Sequence, residues 1–352
     1  MPNWLASMQR TYEYLTVDPG TWKDVKKIST IKRSSISRDS SVETLGSATI
    51  DITESLGECY IRTYLVTNQN GVEERHPLGT HLVQTPSTSF DGKIKDVSMD
   101  AYTPLLELKE NPPPLGYSLL KGENIMDAAY RLIREHARAP VVKTECSDTL
   151  SYDFVANTND TWLTFITDLI ANAKYSLGLD ELGRIIFIPN QPTASLQPVW
   201  TFDDSNSSIL YPDISIDHDM YGVPNVVEVI YSNSKDYYYA RVENDDPNSP
   251  ISIPNRGREI IHRITNPDMT GEPTQAQIDE YAEQTLKNLS SIEYKISYSH
   301  GYCPVRIGDC VRLNYKRAGL VDIKAKVISQ NIECTPECKV TETAVFTHKL
   351  WG

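Results

Sequence analysis

Four of the six cysteines lie near the end of the chain, and their spacing is the strongest chemical signal in the sequence. Cys303 and Cys310 flank one predicted turn, and Cys334 and Cys338 flank another. Two cysteines at each of two turns are typical of a tetrahedral four-thiolate site, which takes zinc or an iron–sulfur cluster. Two other interpretations stay open, namely free thiols packed in strands and a disulfide formed after cell lysis.

Other polar clusters are weaker candidates for chemistry. The Asp-His-Asp run at 217–219 contains metal-ligand types, but neighbouring residues of a strand point to opposite faces, so the three side chains cannot converge. The acidic pairs at 203–204 and 245–246 and the charged run at 73–76 are interpreted as solvated loops. The sequence has no Gly-x-Ser-x-Gly elbow, phosphate-binding loop or His-Glu-x-x-His motif. We therefore expect no catalytic residues and no enzymatic activity.

Composition and charge limit the class of protein further. The 352 residues are enough for two or three domains, and a hydrophobic content of 39% provides material for packed cores. The net charge of −13 argues against a protein that grips nucleic acid phosphates. The N-terminus lacks the apolar core of a signal peptide, and no apolar run approaches the roughly 18 residues of a membrane span. We expect folding in a cytoplasm, where disulfides are disfavoured.

The cysteines belong to a predicted strand meander at 300–351, in which apolar and polar residues alternate. This meander closes a β section, residues 206–352, that contains one helix. The helix begins at a capping box formed by Thr274 and Gln277. Before it come a predicted hairpin, 226–231 with 237–242, and a strand at 258–264.

The first section, residues 1–110, is predicted to be almost entirely β. Strand patterns recur at 12–17, 25–36, 48–53, 59–66, 79–84 and 93–108, separated by turn signals. Six or so short strands without a strong helix between them indicate a barrel or a sandwich. A sugar-binding sandwich with aromatic platforms is the functional alternative.

The middle section, residues 111–205, is predicted to be a small α/β domain. It begins at a linker with three consecutive prolines, 112–114, which stiffen the chain. Helices are predicted from Asn124 to about 138 and from 158 or 159 to about 178, followed by a strand at 184–188. Trp162 and Phe165 lie on the apolar stripe of the second helix, so we expect them in the core.

The order β, α/β, β resembles that of the central baseplate hub proteins of contractile phage tails and prophage tail particles, which are related to late-control-D-type and tail-tip hub proteins. The resemblance covers most of the chain and rests on this order and on short segments. They are Gly-Asp-Cys-Val-Arg at 308–312, Gly-Leu at 319–320, Lys-Ala-Lys-Val-Ile-Ser-Gln at 324–330, Leu-Gly-Arg at 182–184 and Tyr-Pro-Asp-Ile-Ser at 211–215.

The resemblance implies a fold and a set of partners. It implies a mainly β protein in which two β-barrel domains, 1–110 and 206–352, flank the small α/β domain. Three subunits would form a homotrimer with six barrels in a ring, joining a sixfold tail tube protein to a threefold central spike protein. Further implied partners are baseplate wedge or distal tail proteins and a tape-measure protein, with DNA only in passage and no membrane. An acidic channel would let DNA pass without adhering. The location implied is the virion tail baseplate, assembled in the host cytoplasm.

Two alternatives to the hub interpretation stay open. One is the tail-tip protein of a non-contractile tail. Tail-tip proteins of lambda-like phages resemble this chain and hold an iron–sulfur cluster on C-terminal cysteines, which would carry over only onto Cys303, Cys310, Cys334 and Cys338. The other alternative is a cell-wall-degrading tail enzyme, although the three sections already use all 352 residues.

Overall fold

A computed structural model describes residues 2–53, 56–90, 92, 95–233, 236–267 and 273–351. The fold is mainly β with a few helices, as the sequence predicts. The strands are β1 (Gln9–Val17), β2 (Asp24–Ile28), β3 (Ile31–Asp39), β4 (Gly46–Ile52), β5 (Cys59–Gln69), β6 (Val72–Phe90), β7 (Lys95–Tyr102), β8 (Ser118–Leu119), β9 (Phe154–Val155), β10 (Tyr175–Leu179), β11 (Ile185–Pro189), β12 (Pro198–Asp203), β13 (Leu210–His218), β14 (Val226–Ser232), β15 (Tyr237–Glu243), β16 (Ile261–Thr265), β17 (Ser291–Gly301), β18 (Cys310–Asn314), β19 (Ile323–Glu333) and β20 (Lys339–Lys349). The helices are α1 (Leu106–Lys109), α2 (Ile125–His136), α3 (Trp162–Ala171), α4 (Ile253–Arg256) and α5 (Gln275–Leu289). In these ranges no helix combines the length and apolar character needed to cross a membrane.

One large sheet joins the first and last parts of the chain. Its main path runs β13-β17-β20-β19-β3-β4-β7-β6-β5-β1-β2, and β18 and β12 extend from β19 as a branch. The link between the two β sections is the antiparallel β3–β19 ladder, which runs from Ser329 opposite Asp39 to Glu333 opposite Ser35. The two β sections of one chain therefore share backbone hydrogen bonds.

The chain forms two compact units. The larger comprises Met1–Ile214 and Tyr298–Ala344, and the smaller comprises Ser215–Ser297 and Val345–Gly352. The smaller unit contains the predicted hairpin, β14 with β15, whose connecting Ser234 lies outside the described residues. Its sheet packs on α5, with a core of Val227, Val229, Ala240, Ile278, Ala282 and Leu286. The boundaries predicted at 110 and 205 divide the chain differently and stay a prediction.

The insert, residues 111–205, is built around α2 and α3 as the periodicity predicts. The Asn124 side chain accepts a hydrogen bond from the Asp127 backbone N–H and so caps α2. Trp162 and Phe165 are 3% and 1% exposed, which confirms them as core residues. Burial of such large aromatic side chains is a main source of stability in a small domain.

Several predicted boundaries are wrong. The charged run at 73–76, interpreted as a solvated loop, lies in β6, and the strand predicted at 79–84 is only part of β6. Asn70 and Gly71, both at positive φ, form a two-residue turn that pairs Gln69 with Val72 and so starts β6 before the charged run. The second helix begins at Trp162 and ends at Ala171, because Thr161 and Thr164 form a capping box, and Gly178 lies in β10. The strand predicted at 93–108 ends at Tyr102, since Pro104 cannot donate to a ladder, and α1 follows. The strand predicted at 25–36 is two strands, β2 and β3. Lys93 and Ile94, at the start of the strand predicted at 93–108, and Asp91 just before it lie outside the described residues.

The turn between β10 and β11 attaches the insert to both β sections. The Leu182 carbonyl oxygen accepts hydrogen bonds from Trp22 Nε1 at 2.8 Å and from Arg62 Nη2 at 3.0 Å, both in the first β section. Glu181 forms an ion pair with Arg306 of the second β section. Gly183 has a φ of +73°, and a Cβ there would lie 2.7 Å from Thr80 Cβ.

We predict that Gly183→Ala destabilises the protein. A left-handed residue with a Cβ costs about 1–2 kcal/mol, and overpacking against Thr80 adds about 1–3 kcal/mol. Chemical denaturation measures the change in the free energy of unfolding. The control is Gly116→Ala, since Gly116 has a φ of +77° but a Cβ added there would meet no atom within 4 Å. Equal losses in the two variants would contradict close contact between this turn and the first β section.

Candidate functional site

The most concentrated set of buried polar groups lies inside the second β section, on β17, β19 and β20. Alternation along β17 turns Tyr298 and His300 inward, and alternation along β20 turns Glu342 inward between Val340 and Ala344. His300 and Glu342 are fully buried. A charged side chain at a buried, apolar position is tolerated only when hydrogen-bonding or oppositely charged partners replace its lost hydration.

The Glu342 carboxylate is surrounded by donors. Tyr298 donates its hydroxyl to Oε2 at 2.7 Å, and Gln330 Nε2 donates to Oε1. His300 Nε2 lies 3.2 Å from Oε1, which is an ion-pair distance without the alignment of a hydrogen bond. His300 Nδ1 lies 2.7 Å from the Gly301 carbonyl oxygen, so both ring nitrogens lie near oxygen atoms.

These contacts keep Glu342 ionised although it is buried. Burial by itself opposes ionisation of the carboxyl, but the nearby His300 ring and the hydrogen bonds from Gln330 and Tyr298 outweigh it and hold the pKa of Glu342 below its usual range. Burial and the neighbouring carboxylate raise the pKa of the Tyr298 hydroxyl, which therefore stays protonated and donates. The set is a structural ion-pair network.

The network reaches the first β section through Gln330. Arg38 stands directly opposite Gln330 in the β3–β19 ladder, and its Nη1 donates to Gln330 Oε1 at 2.9 Å. Arg38 Nη2 donates to the Leu78 carbonyl oxygen on β6 at 2.6 Å. Side chains from β3, β19, β20 and β17 thus form one connected chain of hydrogen bonds across the junction.

Cys334 and Cys338 lie at the same junction, on the turn between β19 and β20. The Cys334 backbone N–H donates to the Ser34 carbonyl oxygen at 3.0 Å, and the Tyr12 hydroxyl donates to the Thr335 carbonyl oxygen at 2.7 Å. Both thiols are buried, and burial raises the pKa of Cys334 to about 12 and also raises that of Cys338. Cys338 lies close enough to Cys334 to contribute to the raised pKa of the Cys334 thiol.

Cys303 and Cys310 are buried in different surroundings. Cys303 Sγ lies 3.8 Å from His300 Nδ1, and burial followed by the Glu342 charge raises the pKa of its thiol. Cys310 Sγ lies 3.8 Å from the carbonyl oxygen of the next residue, Val311. The charged groups of Lys324, Arg312 and Asp309 are also near this thiol. The structure therefore brings Cys334 and Cys338 together and leaves Cys310 in an environment of its own.

The thiols do not converge as a four-thiolate site requires. Within the described ranges, no group of three or more His, Cys, Asp or Glu side chains is placed to hold a metal ion. All six cysteines are free thiols in this structure, and the four predicted ligands are buried as small apolar side chains are. The zinc or iron–sulfur site stays a prediction of the sequence.

The remaining polar clusters have local roles. His218 stacks on Tyr294 with ring centroids 4.5 Å apart, and Asp219 accepts from the Tyr221 backbone N–H. Asp203 and Asp246 accept from Ser205 and Asn248 in their own turns, as expected of solvated loops.

A surface cavity of about 610 Å³ lies on the insert between the proline linker and α2. In its lining His136 stacks on Trp162, with ring centroids 4.2 Å apart, and Arg131 pairs with Glu123. None of these lining contacts joins a nucleophile to a base.

Sequence reasoning missed the residues of the network. The available signal was a polar residue at an inward position of an alternating strand, as with Glu342 between Val340 and Ala344. Their partners lie on other strands, up to 292 positions away in the case of Arg38 and Gln330, and no local pattern identifies them.

Comparison with known proteins shows the fold. No protein-family model matches the sequence, and no curated protein matches it. The structure is similar to a tail protein from Neisseria meningitidis MC58, with a TM-score of 0.61, 12% identity, and 96% of this chain and 97% of that chain covered. It is also similar to the 43 kDa tail protein of prophage MuSo2 from Shewanella oneidensis, with a TM-score of 0.62, 10% identity, and 95% and 98% coverage. The chain has the fold of these tail proteins along nearly its whole length.

We predict that Glu342→Gln lowers the free energy of unfolding by about 1.5–3 kcal/mol or more at neutral pH, because a neutral amide replaces the carboxylate that accepts the charge-assisted hydrogen bonds of Tyr298 and Gln330. The pKa of Glu342 is lower in the folded state, so its contribution is fully present above the ordinary carboxyl value near 4.5 and is lost as the pH falls through the folded value. The difference between wild type and variant should therefore shrink below about pH 4.5.

The matched control is Glu337→Gln, which removes an exposed carboxylate from the neighbouring turn. Denaturant unfolding at several pH values measures all three proteins, and the control should change by no more than about 0.5 kcal/mol. A loss for Glu342→Gln that is independent of pH would contradict an ionised Glu342.

We predict that Cys334 and Cys338 react slowly with iodoacetamide in the native protein, because the thiolate is the nucleophile and burial raises both pKa values. Mass spectrometry of alkylated peptides measures the rates, with the partly buried Cys146 as the internal reference. Elemental analysis of the same sample tests the metal site. Stoichiometric zinc or iron would support the four-thiolate prediction, and a metal-free sample with slow thiols would remove it.

Proposed function

We propose that the protein is a structural hub of a phage or phage-like tail baseplate, without catalytic activity of its own. The observation that carries this proposal is the shared fold with two tail proteins over nearly the full length of both partners. Because the match covers all three sections of the chain, it supports a tail function for the whole chain. The protein would lie in the virion tail baseplate after assembly in the host cytoplasm.

The proposed assembly is a trimeric ring. Each chain contributes two β sections, which the β3–β19 ladder holds side by side. Three chains would contribute six such sections, the number needed to match a sixfold tail tube while keeping the threefold symmetry of a central spike. The Arg38–Gln330–Glu342 network supports this proposal, because it fixes the two β sections of one chain to each other.

The proposed ring would leave a channel for DNA. The net charge of −13 supports this part, since an acidic surface repels phosphates and lets DNA slide without adhering. The partners would be a tail tube protein, a central spike protein, baseplate wedge or distal tail proteins, and a tape-measure protein.

The second candidate is the tail-tip protein of a non-contractile tail, which the C-terminal cysteines favour if they hold a cluster. A cell-wall-degrading enzyme is the third candidate, and neither the buried network nor the insert cavity offers it a catalytic arrangement. Visible absorbance typical of an iron–sulfur cluster would favour the tail-tip protein.

We predict that the purified protein is a trimer. Light scattering should give three times the mass of one chain, and negative-stain images should show threefold rings. The trimer should co-sediment with a spike protein and with tail tubes, and it should release no fragments from peptidoglycan. A monomer at all concentrations, or cleavage of peptidoglycan, would contradict the proposed function.

A further inference from the structure

The large sheet has two open ends. Its main path ends in β2 on one side and in β13 on the other, and each has a single strand partner among the described residues. An edge strand presents unpaired backbone N–H and C=O groups, which form hydrogen bonds readily with another chain. The side chains that flank the two edges differ in charge.

The β2 edge is basic. Lys23, Lys26 and Lys27 are exposed, and Val25 between them is 67% exposed. The one carboxylate on this strand, Asp24, already has partners within the chain. It accepts hydrogen bonds from Arg62 Nη1 and the Tyr64 hydroxyl, both at 2.7 Å.

Two of these lysines have no counter-charge in the part of the chain that the structure describes. Lys27 pairs with Glu13 at 2.6 Å, whereas no ion pair involves Lys23 or Lys26. In a chain with a net charge of −13, this edge is a local excess of positive charge.

The β13 edge is acidic. Asp213 and Asp217 are exposed on this strand, and no cation pairs with either carboxylate among the described residues. The side-chain contact of Asp217 is a 3.5 Å hydrogen bond from the Ser215 hydroxyl. Pro212 on this strand has no backbone N–H, as is common on edge strands.

We propose that the β2 edge of one chain meets the β13 edge of a second copy of the same chain, so that the basic edge with Lys23 and Lys26 lies beside the acidic edge with Asp213 and Asp217. This inference rests on the proposed ring and identifies its subunit contact. Two β2 edges repel each other, as do two β13 edges, so only the unlike pairing is attractive. Charge at the edges thus selects one partner and rejects the others.

The pairing has a consequence for symmetry. A contact between two different surfaces is heterologous, so each chain uses both of its edges and the contacts run head to tail. Head-to-tail contacts produce a ring when the rotation closes and a filament when it does not. Three copies with two β sections each would close the proposed ring without leaving either edge exposed.

The test reverses the charges of each edge. Lys23→Glu with Lys26→Glu makes both edges acidic, and Asp213→Lys with Asp217→Lys makes both basic. We expect each double variant to lose the trimer, with at least about a tenfold rise in the concentration at which half of the chains are assembled. The fourfold variant exchanges the charges of the two edges and should form trimers again.

Two controls accompany the variants. Lys121→Glu with Arg134→Glu makes the same change in charge on the exposed surface of the insert and should leave the trimer intact. Circular dichroism confirms that each variant is folded. A mixture of the two double variants should not form closed trimers, because attractive contacts then alternate between the two kinds of chain and three is an odd number.

The outcomes separate this inference from the proposed function. A wild-type protein that stays monomeric contradicts the ring itself. A wild-type trimer that both double variants retain, or that the fourfold variant fails to restore, overturns the edge contact and leaves the ring standing. A closed trimer from the mixture would also overturn it. Sensitivity of the wild-type trimer to added salt supports the contact, since salt screens exposed charges.

Discussion

The buried carboxylate of Glu342 requires hydrogen-bond donors from several strands of the larger unit. An ionised group away from water is tolerated only when donors replace its hydration, and here they come from β17 and β19. Gln330 can donate to Glu342 while its own oxygen accepts from Arg38 on β3. A shift of the β3–β19 register by one residue would turn Gln330 to the other face and leave both Glu342 and Arg38 without this partner. The network therefore specifies the register of the junction as well as contributing to its stability.

Other polar contacts attach the insert to both β sections. Its β10–β11 turn presents the Leu182 carbonyl oxygen to Trp22 and Arg62 and the Glu181 carboxylate to Arg306. Arg62 is only 4% exposed and also bonds Asp24 and Thr80, so its guanidinium is held from several directions. Arginine suits this role because its planar fork offers five donors and always carries charge. The larger unit is thus connected by polar contacts between its sections, in addition to the core that each section buries.

Local patterns were sufficient for most elements of the fold. Alternation identified β4 and β5, the three-residue and four-residue spacing identified α2 and α5, and capping residues located the first turns of both helices. The resemblance to tail hubs was likewise correct at the level of the fold. What could not be predicted depends on residues far apart in the chain. Arg62 and Arg38 look like ordinary charged strand residues until tertiary structure supplies their acceptors. The cysteines show the opposite case. Their spacing in the sequence suggests one shared site, but the structure places Cys310 in surroundings of its own.

The β3–β19 ladder also has a consequence for biosynthesis. Arg38 and Gln330 are 292 positions apart, so the first β section leaves the ribosome long before its partner strand exists. At roughly 5–20 residues per second, β3 waits about 15–60 s as an unpaired edge. During that time a neighbouring nascent chain presents the same unpaired β3, and contacts of such large sequence separation are intrinsically slow to form. Lys32, Arg33 and three serines make this waiting edge largely polar, and polar or charged edge strands are less prone to aggregate with another chain.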